Sequence, residues 1–191
     1  FGQALRLCAA LGFVGLARHV PVRLAPLPGP GGGADFDGHG RVAALLAALA
    51  GLEPAPRTEF VRPFSAASAS GKSAGVALVA SDFYDLDDYA VGLKLLRRRG
   101  YQVEALHIVD DEELRPPVDG PTLLRDAESG RTLRVRVDGA LRERYRDVVA
   151  KHFDDVASRC RSIGVGYHRV DARKPTESVV FAVLRDRGVL R

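Results

Sequence analysis

Two short stretches hold the residue types from which chemistry is usually built. Phe64 to Asp88 reads FSAASASGKSAGVALVASDFYDLDD, with Gly71-Lys72-Ser73 near one end and Asp82, Asp85, Asp87 and Asp88 at the other. Asp110 to Leu114 reads DDEEL. A Gly-Lys-Ser triplet suggests a phosphate-binding loop, in which amides at the start of a helix face the phosphates. That loop requires an earlier glycine, a strand before it and a helix after it. Here the glycine position is Ala66, and the triplet runs into an apolar strand-like segment. The stretch therefore reads as a solvated linker, with Lys72 dispensable for nucleotide binding.

The carboxylates carry more. Asp82 follows the apolar run Val76 to Ala80, whose continuous hydrophobicity is that of a strand covered on both faces. In open α/β sheets ligands bind beyond the carboxyl ends of the strands, and a carboxylate there can hold a hard cation such as Mg2+. The competing role is helix capping by Ser81, Asp82 and Asp85, with Asp87 and Asp88 matching the dipole of the first turn. Glu112 and Glu113 likewise form either a carboxylate pair or one solvated acidic turn. The five histidines, His19, His39, His107, His152 and His168, are dispersed, and none stands at metal-ligand spacing from a cysteine or a second histidine. His107 falls inside a strand, where packing is its expected task. Ser65, Ser68, Ser70 and Ser73 lack the strand-to-helix turn of a nucleophile elbow. The cations of RRRG (Arg97 to Gly100) suit a helix C-terminus.

Elements must position these residues. FGQALRLCAALGFVGLARH has helical spacing, with Leu5, Cys8, Leu11 and Leu16 on neighbouring turns. VPVRLAPL reads as a short strand leading into a Pro/Gly-rich loop, PGPGGGADFDGHG, and RVAALLAALAGL as a helix closed by Gly51. A further helical turn is expected over Phe60 to Ala67. Beyond the linker come the strand GVALVAS, the amphipathic helix DLDDYAVGLKLLRRRG and the strand QVEALHIV. TLLRDAESGRTLRVRV reads as a hairpin turning at Ser129-Gly130. A long helix from Ala140, the strand VGYHRVD and a last helix TESVVFAVLRDRG complete the chain. Strand and helix alternation predicts an α/β fold, a doubly wound and mainly parallel sheet with helices on both faces. The hairpin near 122–137 is an insertion into it.

Composition bounds the function. A chain of 191 residues fits a single domain with one substantial core. Hydrophobic residues at 46% and charged residues at 27% are ordinary globular values. The net charge of +4 arises from scattered arginines, and aromatics are only 7%, so neither a basic stripe nor stacking platforms point to nucleic acid. No run approaches the ~18 apolar residues of a membrane span. Cys8 and Cys160 lie far apart and read as buried thiols of a reducing, cytoplasmic compartment. Phe1 opens within a helical pattern and the chain has no methionine, which leads us to expect that the N-terminal part of the natural protein is absent.

GVALVASDFYD, VEALHIVDDEEL, PTLLRDAESGRTLRVRV and the RERY helix together resemble the C-terminal region of a bacterial family called domain of unknown function 58. The resemblance runs from about Phe1 to Leu184, and RDAESGR with the strand-end SDF is its most specific part. After the second strand that family commonly reads Asp-Pro-x-Glu; Asp110 and Glu113 fit, with Asp111 in place of the proline. The region is similar to a von Willebrand factor A domain. The resemblance implies a metal-ion-dependent adhesion site built from an Asp-x-Ser-x-Ser motif, a threonine and a strand-end aspartate. Thr58 and Asp82 match the last two by position, and Mg2+ is the implied ion. The Asp-x-Ser-x-Ser motif and its strand are absent from this sequence and would fall upstream of Phe1, leaving half a site. The implied role is a non-enzymatic adaptor for a MoxR-type AAA+ ATPase. The alternative is a metal-dependent hydrolase using Asp82 and the Asp110–Glu113 loop, although the sequence offers neither a phosphate cradle nor a base-orienter pair.

Overall fold

The computed structural model describes residues 1–27, 33–54, 60, 75–84, 88–126 and 130–186. Helix α1 (Gly2–Ala17) is followed by strands β1 (Val22–Leu24) and β2 (Ala34–Phe36), a single 3-10 turn and helix α2 (Val42–Ala50). Strand β3 (Val76–Ser81), helix α3 (Asp88–Arg98) and strand β4 (Gln102–Val109) come next. The one-turn helix α4 (Asp111–Leu114) leads into the ribbon of β5 (Gly120–Arg125) and β6 (Thr132–Val137). Helix α5 (Gly139–Ser162), strand β7 (Gly166–Asp171) and helix α6 (Thr176–Asp186) close the described chain.

Strands β3, β4 and β7 form a parallel sheet in that order, with Val76 opposite Gln102 and Glu104 opposite Gly166. Parallel neighbours need crossovers, and α3 supplies the first of them. Alternation along β4 sends its side chains to two cores. Val103 and Ala105 pack with Tyr89, Leu93 and Leu96 of α3 and with Val156 and Cys160 of α5. Leu106 and Ile108 pack with Leu7 and Leu11 of α1 and with Val179, Val180 and Val183 of α6. Helices therefore pack with both sets of β4 side chains. Glu104 is buried on β4 and lies 2.9 Å from His168 Nε2 and 3.2 Å from Gln102 Nε2, so its carboxyl oxygens have hydrogen-bond partners where water does not reach. Cys8 and Cys160 are both free thiols, the first half-buried and the second buried.

One local expectation is corrected. The end of the Pro/Gly-rich segment is a strand: Ala34–Phe36 pairs antiparallel with β1, seating buried Phe36 against Leu16, Leu45 and Leu49. The pairing depends on a surface offered by α1 and α2, which local composition does not reveal. The DDEEL run agrees with the expected solvated acidic turn and takes helical form, the Asp110 side chain capping the Glu112 amide at 3.1 Å. The ribbon has its expected place, with Leu124 opposite Leu133 in an antiparallel pair. Thr58, Gly71-Lys72-Ser73, Asp85, Asp87, Ser129 and the expected turn after Phe60 lie outside the described residues. Among the described residues no helix is long and apolar enough to cross a membrane.

Candidate functional site

The carboxyl ends of the three parallel strands form one rim. At the end of β3 the backbone turns sharply at Phe83, which holds φ at +53°, a left-handed conformation unusual for a bulky side chain. Burial stabilises it. Phe83 is fully enclosed, with ring centroids 6.0 Å from Phe60, 5.3 Å from Tyr89 and 5.5 Å from His107. With Phe83 driven inward, its neighbours Asp82 and Tyr84 stand on the surface. The Ser81 hydroxyl accepts from the Phe83 amide at 3.1 Å, and the Asp82 carboxylate accepts from the Tyr84 amide at 3.4 Å. Asp82 thus belongs to the tight turn that follows β3.

At the end of β4, Asp110 and Glu112 share Arg173, whose Nη2 lies 3.4 Å and 3.0 Å from their oxygens. Arg173 belongs to the turn after β7, where its own amide donates to Asp171 at 2.9 Å. Glu113 faces β3: it accepts from the Tyr84 hydroxyl at 3.2 Å, while its backbone carbonyl accepts from Tyr145 of α5 at 2.7 Å. Burial raises the Glu113 carboxyl above the ordinary range, and the negative charges of Asp82 and Asp110 add to this against the Tyr84 hydrogen bond. Burial also raises the Tyr84 hydroxyl, with Glu113 second, which keeps that proton on Tyr84 as donor.

Beneath the rim sits an aromatic layer. Tyr84 stacks on His152 at 5.1 Å, and His152 meets His107 edge-on at 5.9 Å. His107 Nδ1 lies 2.8 Å from the Tyr167 hydroxyl, and a hydrogen bond to the Asp82 backbone engages the ring as well. Burial holds His107 down to about 4, with the neighbouring His152 ring contributing in the same direction. His107 is therefore neutral packing at neutral pH, as its place inside a strand implied.

Tyr84 links Asp82, which accepts from its amide, to Glu113, which accepts from its hydroxyl, while Glu112 and Asp110 turn toward Arg173. Each carboxylate faces a donor of the chain itself. Among the described residues no group of three or more His, Cys, Asp or Glu side chains could hold a metal ion. Asp82 is the one described member of the ligand pair implied by the resemblance, and the described residues do not fit a divalent-cation site. Tyr84, Tyr145 and Arg173 escaped the sequence reading, and His152 was weighed there only as a metal ligand. A signal did exist for two of them, since Tyr145 and His152 stand seven apart in a helix, two turns along one face.

An open parallel sheet with helices on both faces and a rim at its strand ends defines an α/β protein. The crystal structure of the conserved hypothetical protein BatB from Bacteroides thetaiotaomicron shares this fold, with a TM-score of 0.55 over 98% of this chain and 86% of that chain at 18% identity. Residues 35–155 match the family described as protein of unknown function DUF58, and the chain belongs to that family. An uncharacterized protein of Mycobacterium tuberculosis is 31% identical over 118 residues, covering 61% of this chain and 37% of the relative. An uncharacterized protein of Mycobacterium avium is 31% identical over 118 residues and is covered over 69% of its length. The chain spans 37% of the length of the curated Mycobacterium bovis relative it also matches.

Proposed function

We propose that this chain is a non-enzymatic protein-interaction module on a doubly wound, von Willebrand A-like sheet. Its recognition surface is the strand-end rim, and its partner is a MoxR-type AAA+ ATPase. The observation that carries this reading is the turn at Phe83. A buried aromatic forces Asp82 and Tyr84 outward beside Glu113 and Tyr145, presenting carboxylates and half-exposed tyrosines side by side. Tyrosines with one apolar face and one polar tip suit recognition, and carboxylates already satisfied by the chain present charge to a basic partner. The alternative reading, metal-dependent hydrolysis using Asp82 and the Asp110–Glu113 loop, requires cation ligands beyond the described residues.

Titration of a purified MoxR-type ATPase with the wild-type chain and with Asp82→Ala separates these readings. Saturable binding that weakens at least about tenfold in the variant, an interaction difference of ~1.4 kcal/mol, is expected. The variant should melt with the wild type, because an exposed carboxylate carries little packing energy. Equal binding by both chains, or none at all, overturns the assignment of the rim. Turnover of phosphate esters with Mg2+ or Mn2+, lost in Asp82→Ala, would establish the hydrolase. Added Mg2+ should raise the melting temperature of this chain little, since stabilisation follows the logarithm of ligand concentration over its dissociation constant.

A further inference from the structure

A second surface lies on the ribbon of β5 and β6. Residues directly opposite in an antiparallel pair share a face, so the register sorts the side chains into two sets. Gly120, Thr122, Leu124, Leu133, Val135 and Val137 form one face, half-buried to buried at the base and exposed toward the tip. Pro121, Leu123, Arg125, Thr132, Arg134 and Arg136 form the other, and every one of them is exposed. Neither strand contains an acidic residue. Of the flanking aspartates, Asp119 pairs with Arg142 at 2.9 Å, Asp138 caps the Leu141 amide of α5, and Asp126 stands at the tip, where its amide donates to the Arg131 carbonyl at 2.8 Å.

Three leucines on this ribbon are open to water: Leu123 at 60%, Leu124 at 43% and Leu133 at 61% exposed. An isolated two-stranded ribbon is marginal in water, and its outer edges carry backbone groups without strand partners. Among the described residues β5 and β6 pair only with each other. The two edges differ. Strand β5 contains Pro121, which has no N–H to offer, whereas every residue of β6 has one. Along β6 the side chains alternate, Leu133 and Val135 on one face with Arg134 and Arg136 on the other.

We propose that the outer edge of β6 is a docking edge for an extended segment of a partner protein in which acidic and apolar residues alternate. Added as a third strand, that segment sets its carboxylates beside Arg134 and Arg136 and its apolar side chains beside Leu133 and Val135. Backbone hydrogen bonds supply affinity and the alternation supplies register. This surface is separate from the strand-end rim and does not rest on the reading of that rim.

A fluorescent short peptide alternating Glu and Val tests it by anisotropy, with hydrogen exchange of the β6 amides as a second readout. Saturable binding and slowed exchange across Thr132–Val137 are expected. The double variant Arg134→Glu/Arg136→Glu should lose at least tenfold in affinity for that peptide and gain affinity for one alternating Lys and Val. The reciprocal gain distinguishes changed recognition from a misfolded variant. A peptide N-methylated along one edge should bind at least tenfold more weakly than its parent. Equal binding of the N-methylated peptide overturns strand addition. Absence of peptide binding, or binding only to phosphatidylglycerol vesicles and not to the peptide, overturns the assignment of a protein segment as the occupant.

Discussion

The strand-end rim and the β5–β6 ribbon are both exposed, yet they are built in opposite ways. The rim is a thin polar layer on a buried aromatic foundation. Asp82 and Tyr84 are placed by Phe83, and Tyr84 is backed by His152 and His107. Changing what lies beneath moves what is displayed. The ribbon has little beneath it: the face of Leu123 and Arg134 is wholly exposed, and the other is covered only toward its base, from the half-buried Thr122 and Val135 to the buried Val137. Its shape comes from its own pairing and its alternation of side chains. A surface held from below is sensitive to core substitutions; one held by its own ladder can change charge with little effect on stability.

The largest expected effect breaks the foundation. Phe83→Ala removes a fully buried ring from contact with Phe60, Tyr89 and His107 and leaves the left-handed backbone without its anchor. A loss of about 3–5 kcal/mol is expected from urea unfolding. A loss below about 1 kcal/mol would mean that Phe83 does not anchor the rim.

The next effect is one of pH. His107 titrates at about 4 in the folded chain, below the ordinary 6.5, chiefly because burial disfavours the imidazolium. As pH falls the unfolded chain takes up this proton first. The stability it contributes is therefore fully present above about 6.5 and is lost as pH drops toward 4. At about 1.36 kcal/mol per pH unit, the loss is on the order of 3 kcal/mol. Burial lowers His152 too, in the same direction. Urea melts at pH 7 and pH 4, compared between wild type and His107→Phe, should show a smaller difference in the variant. Equal pH dependence in both would remove the imidazole from the rim's foundation.

The smallest effect sharpens the contrast. Leu133→Ser on the ribbon, at a side chain 61% exposed, should change unfolding free energy by no more than about 0.5 kcal/mol. The same substitution should weaken capture of the alternating Glu and Val peptide. A stability loss comparable to that of Phe83→Ala would show the ribbon to be held from below after all.

The amino-acid sequence by itself determined the elements. Strands β3, β4 and β7, their helices and the ribbon are legible from local alternation, because period-two and helical spacings are properties of neighbouring residues. It also placed Asp82 at a strand end and His107 inside a strand. Tertiary structure decided the rest. The strand Ala34–Phe36 forms where glycine-rich composition suggested a loop, since its pairing needs a surface made by α1 and α2. Tyr84 meets Glu113 across 29 positions and Arg173 meets Glu112 across 61. Such meetings follow from crossovers and packing, which local spacing does not encode. The turn in which Asp82 accepts from the Tyr84 amide likewise depends on Phe83, a ring enclosed by aromatics from distant parts of the chain.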